Sequence, residues 1–128
     1  MGNQATNIGG VLSSVSNTIA YTDSSAVTIG SVPANAQIIN IHIDVTTAFN
    51  AGTTNTMTVG KSGSAAAFVA STSVGSAGRA SVATTGVYSA WADVGTYDVP
   101  VTATFAQTGT AATAGAARVT VVYRSPAP

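Results

Sequence analysis

This chain has no cysteine and no glutamate, and its 128 residues carry four aspartates against four Lys or Arg, a net charge of +0 with histidine neutral. Without cysteine there is no disulfide, no thiolate nucleophile and no cysteine-based zinc site. The one histidine, His42, cannot build a multi-histidine metal cage. Only 6 % of the residues are charged, so no long-range field draws in DNA, RNA or anionic lipid. No run approaches the roughly 18–20 apolar residues of a membrane span. The opening Met1-Gly2-Asn3-Gln4-Ala5-Thr6 lacks the basic and apolar regions of a secretory signal. These absences lead us to expect a mature, soluble, directly assembled protein. It is expected not to be an enzyme, and to have no cofactor, no metal, and no nucleic-acid or membrane partner.

What fills the chain is Thr, Ser, Ala, Gly and Val. Thr and Val are stiff at χ1 and favour strands. Gly, Asn, Asp and Ser punctuate the sequence at short intervals, the pattern of an all-β sandwich or barrel with eight to nine short strands. The length fits one domain. A neutral, low-charge surface is poorly soluble when left free, which points to an oligomer or a lattice component. We therefore expect a single antiparallel β-sandwich, jelly-roll-like, over residues 18–124. An extended N-terminal arm over residues 1–17 precedes it, and a short C-terminal tail over residues 125–128 follows.

The clearest strand runs from Ala36 to Thr47. Ile39, Ile41, Ile43 and Val45 fall on one face and Asn40, His42 and Asp44 on the other. Asn55 to Gly60 makes the next strand, and the pair is expected to form a hairpin across Asn50-Ala51-Gly52. Val99, Val101, Ala103 and Phe105 alternate with Pro100, Thr102 and Thr104. Val119, Val121 and Tyr123 alternate with Arg118, Thr120 and Arg124, and these two segments are expected to form a second antiparallel pair. The loop from Gln107 to Gly115 between them reads as small and flexible. Weaker strands are expected at Ile19–Thr22, Val27–Val32, Ala67–Ser71, Ala80–Ala83 and Val87–Ala90. Residues 65–70 are also compatible with a short helix. In the arm, Ile8, Val11, Leu12 and Val15 are apolar among Gly, Asn and Ser, and are the candidate anchors on a partner.

Few residues could carry chemistry. Gly60-Lys61-Ser62 matches the end of a phosphate-binding loop, but Asn55 stands where that motif needs glycine, so a turn with a solvated Lys is expected. His42 and Asp44 are neighbours on one strand face without a nucleophile or further ligands. Asp93 and Asp98 flank Val94-Gly95-Thr96-Tyr97. They could hold Ca²⁺ or cap turns, and their spacing favours capping. Tyr88, Trp91 and Tyr97 form the densest aromatic group. They could pack in the core, stack on a sugar, or sit at the centre of a protein interface.

The segments Val32-Pro33-Ala34-Asn35-Ala36, Ile38 to Val45, Thr46-Thr47-Ala48-Phe49-Asn50, Thr56-Met57-Thr58-Val59-Gly60 and Ala112 to Tyr123 occur in an order that resembles head-decoration (capsid cement) proteins of tailed bacteriophages. The likeness spans residues 27–124. It implies a β-sandwich that sits as an oligomer, a homotrimer above all, on the outer surface of the virion head. The partners it implies are the major capsid protein and further copies of the chain, which would be made in the host cytoplasm. It brings no catalytic residues. Tyr88, Trp91 and Tyr97 join Ile8, Val11, Leu12 and Val15 as candidate interface residues. A receptor- or glycan-binding module of a phage head or tail fibre is the alternative. Attachment through uncharged surface is expected to survive raised salt.

Overall fold

The computed structural model describes residues 12–80 and 91–125. Its strands are β1 (Leu12–Ala20), β2 (Val27–Val32), β3 (Gln37–Thr47), β4 (Thr54–Lys61), β5 (Ser64–Ser73), β6 (Gly78–Ala80), β7 (Val99–Thr108) and β8 (Ala116–Arg124). They form two four-stranded sheets, ordered β1-β8-β3-β6 and β2-β7-β4-β5. Every ladder is antiparallel. The first strand pairs with the last, the second with the seventh, the third with the sixth and the fourth with the fifth. The chain is thus one antiparallel ribbon folded at the β4–β5 turn and rolled, which is a jelly-roll sandwich.

The two expected hairpins do not form. β3 and β4 lie in different sheets, and so do β7 and β8. Alternation identified these strands correctly but carries no information about partners. Their connecting loops, 48–53 and 109–115, cross from one sheet to the other and are stitched together. Gly52 N donates to Thr110 O at 2.8 Å, and the Asn50 carboxamide oxygen accepts from Thr113 N at 2.8 Å and Ala114 N at 3.0 Å. The segment expected to be flexible is therefore bonded at several backbone groups. From the first of these loops Phe49 is buried against Phe105, with ring centroids 4.5 Å apart and the ring planes tilted by 39°. Gly115, at φ +150°, lies against the Phe49 ring where any Cβ would overlap it.

Two further expectations change, and the helical alternative for residues 65–70 gives way to the expected strand. Ile39 is exposed, and Ile38 takes its place in the core. The β3–β8 register shifts between Ile38 and Asn40, so Ile39 is the extra residue of a bulge that resets the alternation. The described part of the expected arm, residues 12–17, is strand β1, held to β8 from Leu12↔Arg124 to Ala20↔Ala116. The boundary expected after residue 17 thus falls inside a strand. The core needs only one face of β1, and Val15 and Ile19 supply it among Ser and Asn. Residues 65–70 are strand, not helix: the Ser62-Gly63 turn returns them antiparallel onto β4. The segment Val87–Ala90 lies outside the described residues.

The core between the sheets is aliphatic, with Ile19, Ile41, Ile43, Met57, Val59, Val101, Val119 and Val121 almost fully buried. Where β1 passes over β2, Gly30 leaves room for Val15; a Cβ on it would stand 2.6 Å from the Val15 Cβ. Gly115→Ala should cost about 3 kcal/mol, because ring overlap adds to backbone strain. Gly63→Ala, at φ +81° in open space, should cost about 1 kcal/mol. Urea midpoints at unchanged m-value measure both, and equal losses would contradict this account of Gly115.

Candidate functional site

The rolled ribbon has two poles. Loops 21–26, 48–53, 74–77 and 109–115 gather at one, and loops 33–36, 62–63 and 93–98 at the other. At the second pole Pro33 to Ala36 forms a tight turn. Ala36 N donates to Pro33 O, and Asn35 takes φ 63°, a conformation asparagine tolerates. Loop 93–98 docks on that turn through Asn35 N→Gly95 O at 2.7 Å and Val94 N→Ala36 O at 3.1 Å.

Three of the four aspartates serve the backbone. Asp23 accepts from Ala20 N at 2.7 Å, Asp98 from Ala34 N at 2.9 Å and Asp93 from Gly95 N at 3.0 Å. Asp93 and Asp98 thus cap loops, the favoured reading of that pair. Among the described residues no group of three or more His or Asp side chains is placed to hold a metal ion. Gly60-Lys61-Ser62 closes β4 and opens the β4–β5 turn, with Lys61 exposed. A shallow groove is lined by Thr53, Thr54, Asn55, Thr56, Ser73, Gly75 and Ser76. It offers hydroxyls and one amide, and no titratable side chain.

The fourth aspartate, Asp44, belongs to the outer face of β1-β8-β3-β6. Register places Thr18, Arg118, Asp44 and Arg79 in one row across the four strands. Arg79 Nε donates to Asp44 at 2.9 Å, and Arg118 donates to Ser16 Oγ at 2.8 Å. The Arg79–Asp44 pair is exposed at 65 % and 39 %, so it contributes little to stability. His42 faces outward one row on, beside Thr120, and Asp44 pairs with Arg79 rather than with it. Nearer the second pole Leu12, Arg124 and Gln37 form another row, with Val122 and Ile39 beside them.

The outer face of β2-β7-β4-β5 differs. Thr28 pairs with Thr102, Thr58 with Thr104, Thr56 with Ala106 and Thr54 with Thr108. Among the described residues, no charged side chain interrupts that array.

Of the expected interface residues, Ile8, Val11 and Tyr88 lie outside the described residues. Leu12 is 60 % exposed on the outer face of β1. Val15 points the other way and packs on the core. Trp91 also packs on the core, and its indole N–H donates to Phe68 O at 2.7 Å. Tyr97 is 81 % exposed at the second pole. Trp91 and Tyr97 therefore do not form one flat sugar-stacking platform. Arg79, Arg118, Arg124 and Ile39 were missed. The alternation of Arg118 and Arg124 with the core valines of β8 was the available signal, but their convergence with β3 and β6 depends on register.

No protein-family model matches the chain, and no curated protein matches it. Among solved structures, it is similar to a chain of the cyanophage Pam1 capsid asymmetric unit. The TM-score is 0.70 and the identity 20 %, over 98 % of this chain and 93 % of that one. At this identity the likeness is one of fold.

Trp91→Phe should lower stability by about 1 kcal/mol, the net worth of its hydrogen bond. Tyr97→Ala should stay within about 0.5 kcal/mol of the parent. Urea unfolding checks both, and an equal loss at Tyr97 would contradict its exposed placement.

Proposed function

We propose that this protein is a structural component of a phage virion: a head-decoration (cement) protein that binds the outer surface of the head and its own copies, and so stabilises the capsid lattice. The observation that carries this reading is the fold shared, over nearly the whole chain, with a chain of a cyanophage capsid asymmetric unit. The surface chemistry supports it. With only 6 % of residues charged, few charges have to be desolvated or paired when surface is buried. Apolar area removed from water contributes about 25 cal/mol per Å², from which the cost of association is subtracted. Repeated over a lattice, such contacts oppose outward pressure from packaged DNA. The partners are the major capsid protein and further copies, with a homotrimer as the expected unit.

The purified protein should have a native mass of three chains by light scattering. It should co-sediment with empty head shells of the encoding virus assembled without it, and raise their melting temperature. A monomer that stays in the supernatant would refute the reading.

A further inference from the structure

The balanced composition hides a separation of charge. Of the four cations, Lys61 sits at the β4–β5 turn, while Arg79, Arg118 and Arg124 all lie on the outer face of β1-β8-β3-β6. One carboxylate, Asp44, shares that face, and the other three cap loops elsewhere. Apolar exposure is uneven in the same way. Among the described residues the large exposed hydrophobics are Leu12, Ile39 and Tyr97. Leu12 and Ile39 lie on this face around Arg124, and Tyr97 is at the adjoining pole. The bulge that turns Ile39 outward places it there.

Resting on the virion reading above, we propose that this face is the docking surface, and that its partner is a protein surface bearing carboxylates around an apolar patch. An apolar seat with arginine at its centre and charge toward the far side is the make-up of a protein–protein contact. Leu12, Ile39 and Val122 supply apolar contact. Arg118 and Arg124 supply orientation, since complementary charge acts most on encounter rate and register. A polyanion such as nucleic acid or a sulfated glycan fits less well. It calls for an unbroken basic stripe, and here Asp44 stands between Arg118 and Arg79 while aliphatic side chains flank Arg124. This placement revises the expectation of salt-resistant attachment: binding should weaken with salt, though not be abolished.

The test is binding of the full-length protein to immobilised empty head shells that lack it. Arg118→Gln with Arg124→Gln should slow association about tenfold and flatten the salt dependence. Leu12→Ser with Ile39→Thr should speed dissociation at least about tenfold. All four positions are at the surface, so unfolding midpoints should stay close to the parent. Thr58→Lys with Thr104→Lys, on the opposite outer face, should change binding less than about twofold. Loss through the threonine pair with both other pairs unaffected would overturn this face while leaving the virion reading intact. Equal Arg-dependent binding to heparin or duplex DNA would overturn the protein partner. Failure of the parent protein to bind shells at all would sink both.

Discussion

Each half of the chain is held in shape by the other. β1 has β8 as its ladder partner, β2 has β7, β3 has β6 and β4 has β5. The two sheets are completed by β8 on β3 and β7 on β4, which come together only once the ribbon has rolled. Everything that faces outward is set by these registers. The row Thr18, Arg118, Asp44, Arg79 takes residues from four strands spread along most of the sequence. The loops at the first pole meet because β3–β4 and β7–β8 both cross between the sheets there. Asn50 then joins them through its side-chain amide, which accepts from Thr113 N and Ala114 N and donates to Thr113 Oγ1.

Net charge is a poor description of such a surface. One outer face offers hydroxyls and methyls from paired threonines. The other offers three arginines, a histidine and an aspartate beside Leu12 and Ile39. The aspartates that would balance the arginines are spent on backbone N–H groups in loops, where short carboxylates satisfy donors that no strand reaches. A chain with +0 formal charge thereby presents one face with a net positive charge and one that is uncharged, and local fields are what a partner at contact distance meets.

The strand content was legible because half-buried strands alternate. Ile41, Ile43 and Val45 in β3, Val99 to Phe105 in β7 and Val119 to Tyr123 in β8 all face the core as the period of two requires. Pairing was not legible, since loops 48–53 and 109–115 have the length and composition of hairpin loops. The bulge at Ile39 was hidden because Ile39, Ile41, Ile43 and Val45 read as one unbroken alternation, which is broken only by the register shift against β8 between Ile38 and Asn40. β1 passed for an arm because its inward side includes Ser13 and Asn17. Leu12 and Tyr97, expected as an arm anchor and as part of an aromatic group, are both exposed in the structure. The arginines, recognisable only in cross-strand neighbourhood, were not expected.

The nested pairing also orders the closure of the chain. Loop-closure entropy favours the shortest connection first. That connection is the Ser62-Gly63 turn between β4 and β5, and the span between partners grows with each outer pair until Leu12 meets Arg124. The seam between β1 and β8 is therefore the final one to zip. Leu12, Arg118 and Arg124 stand on that seam, so the rows they share with β3 are complete only when the two ends of the described chain have paired.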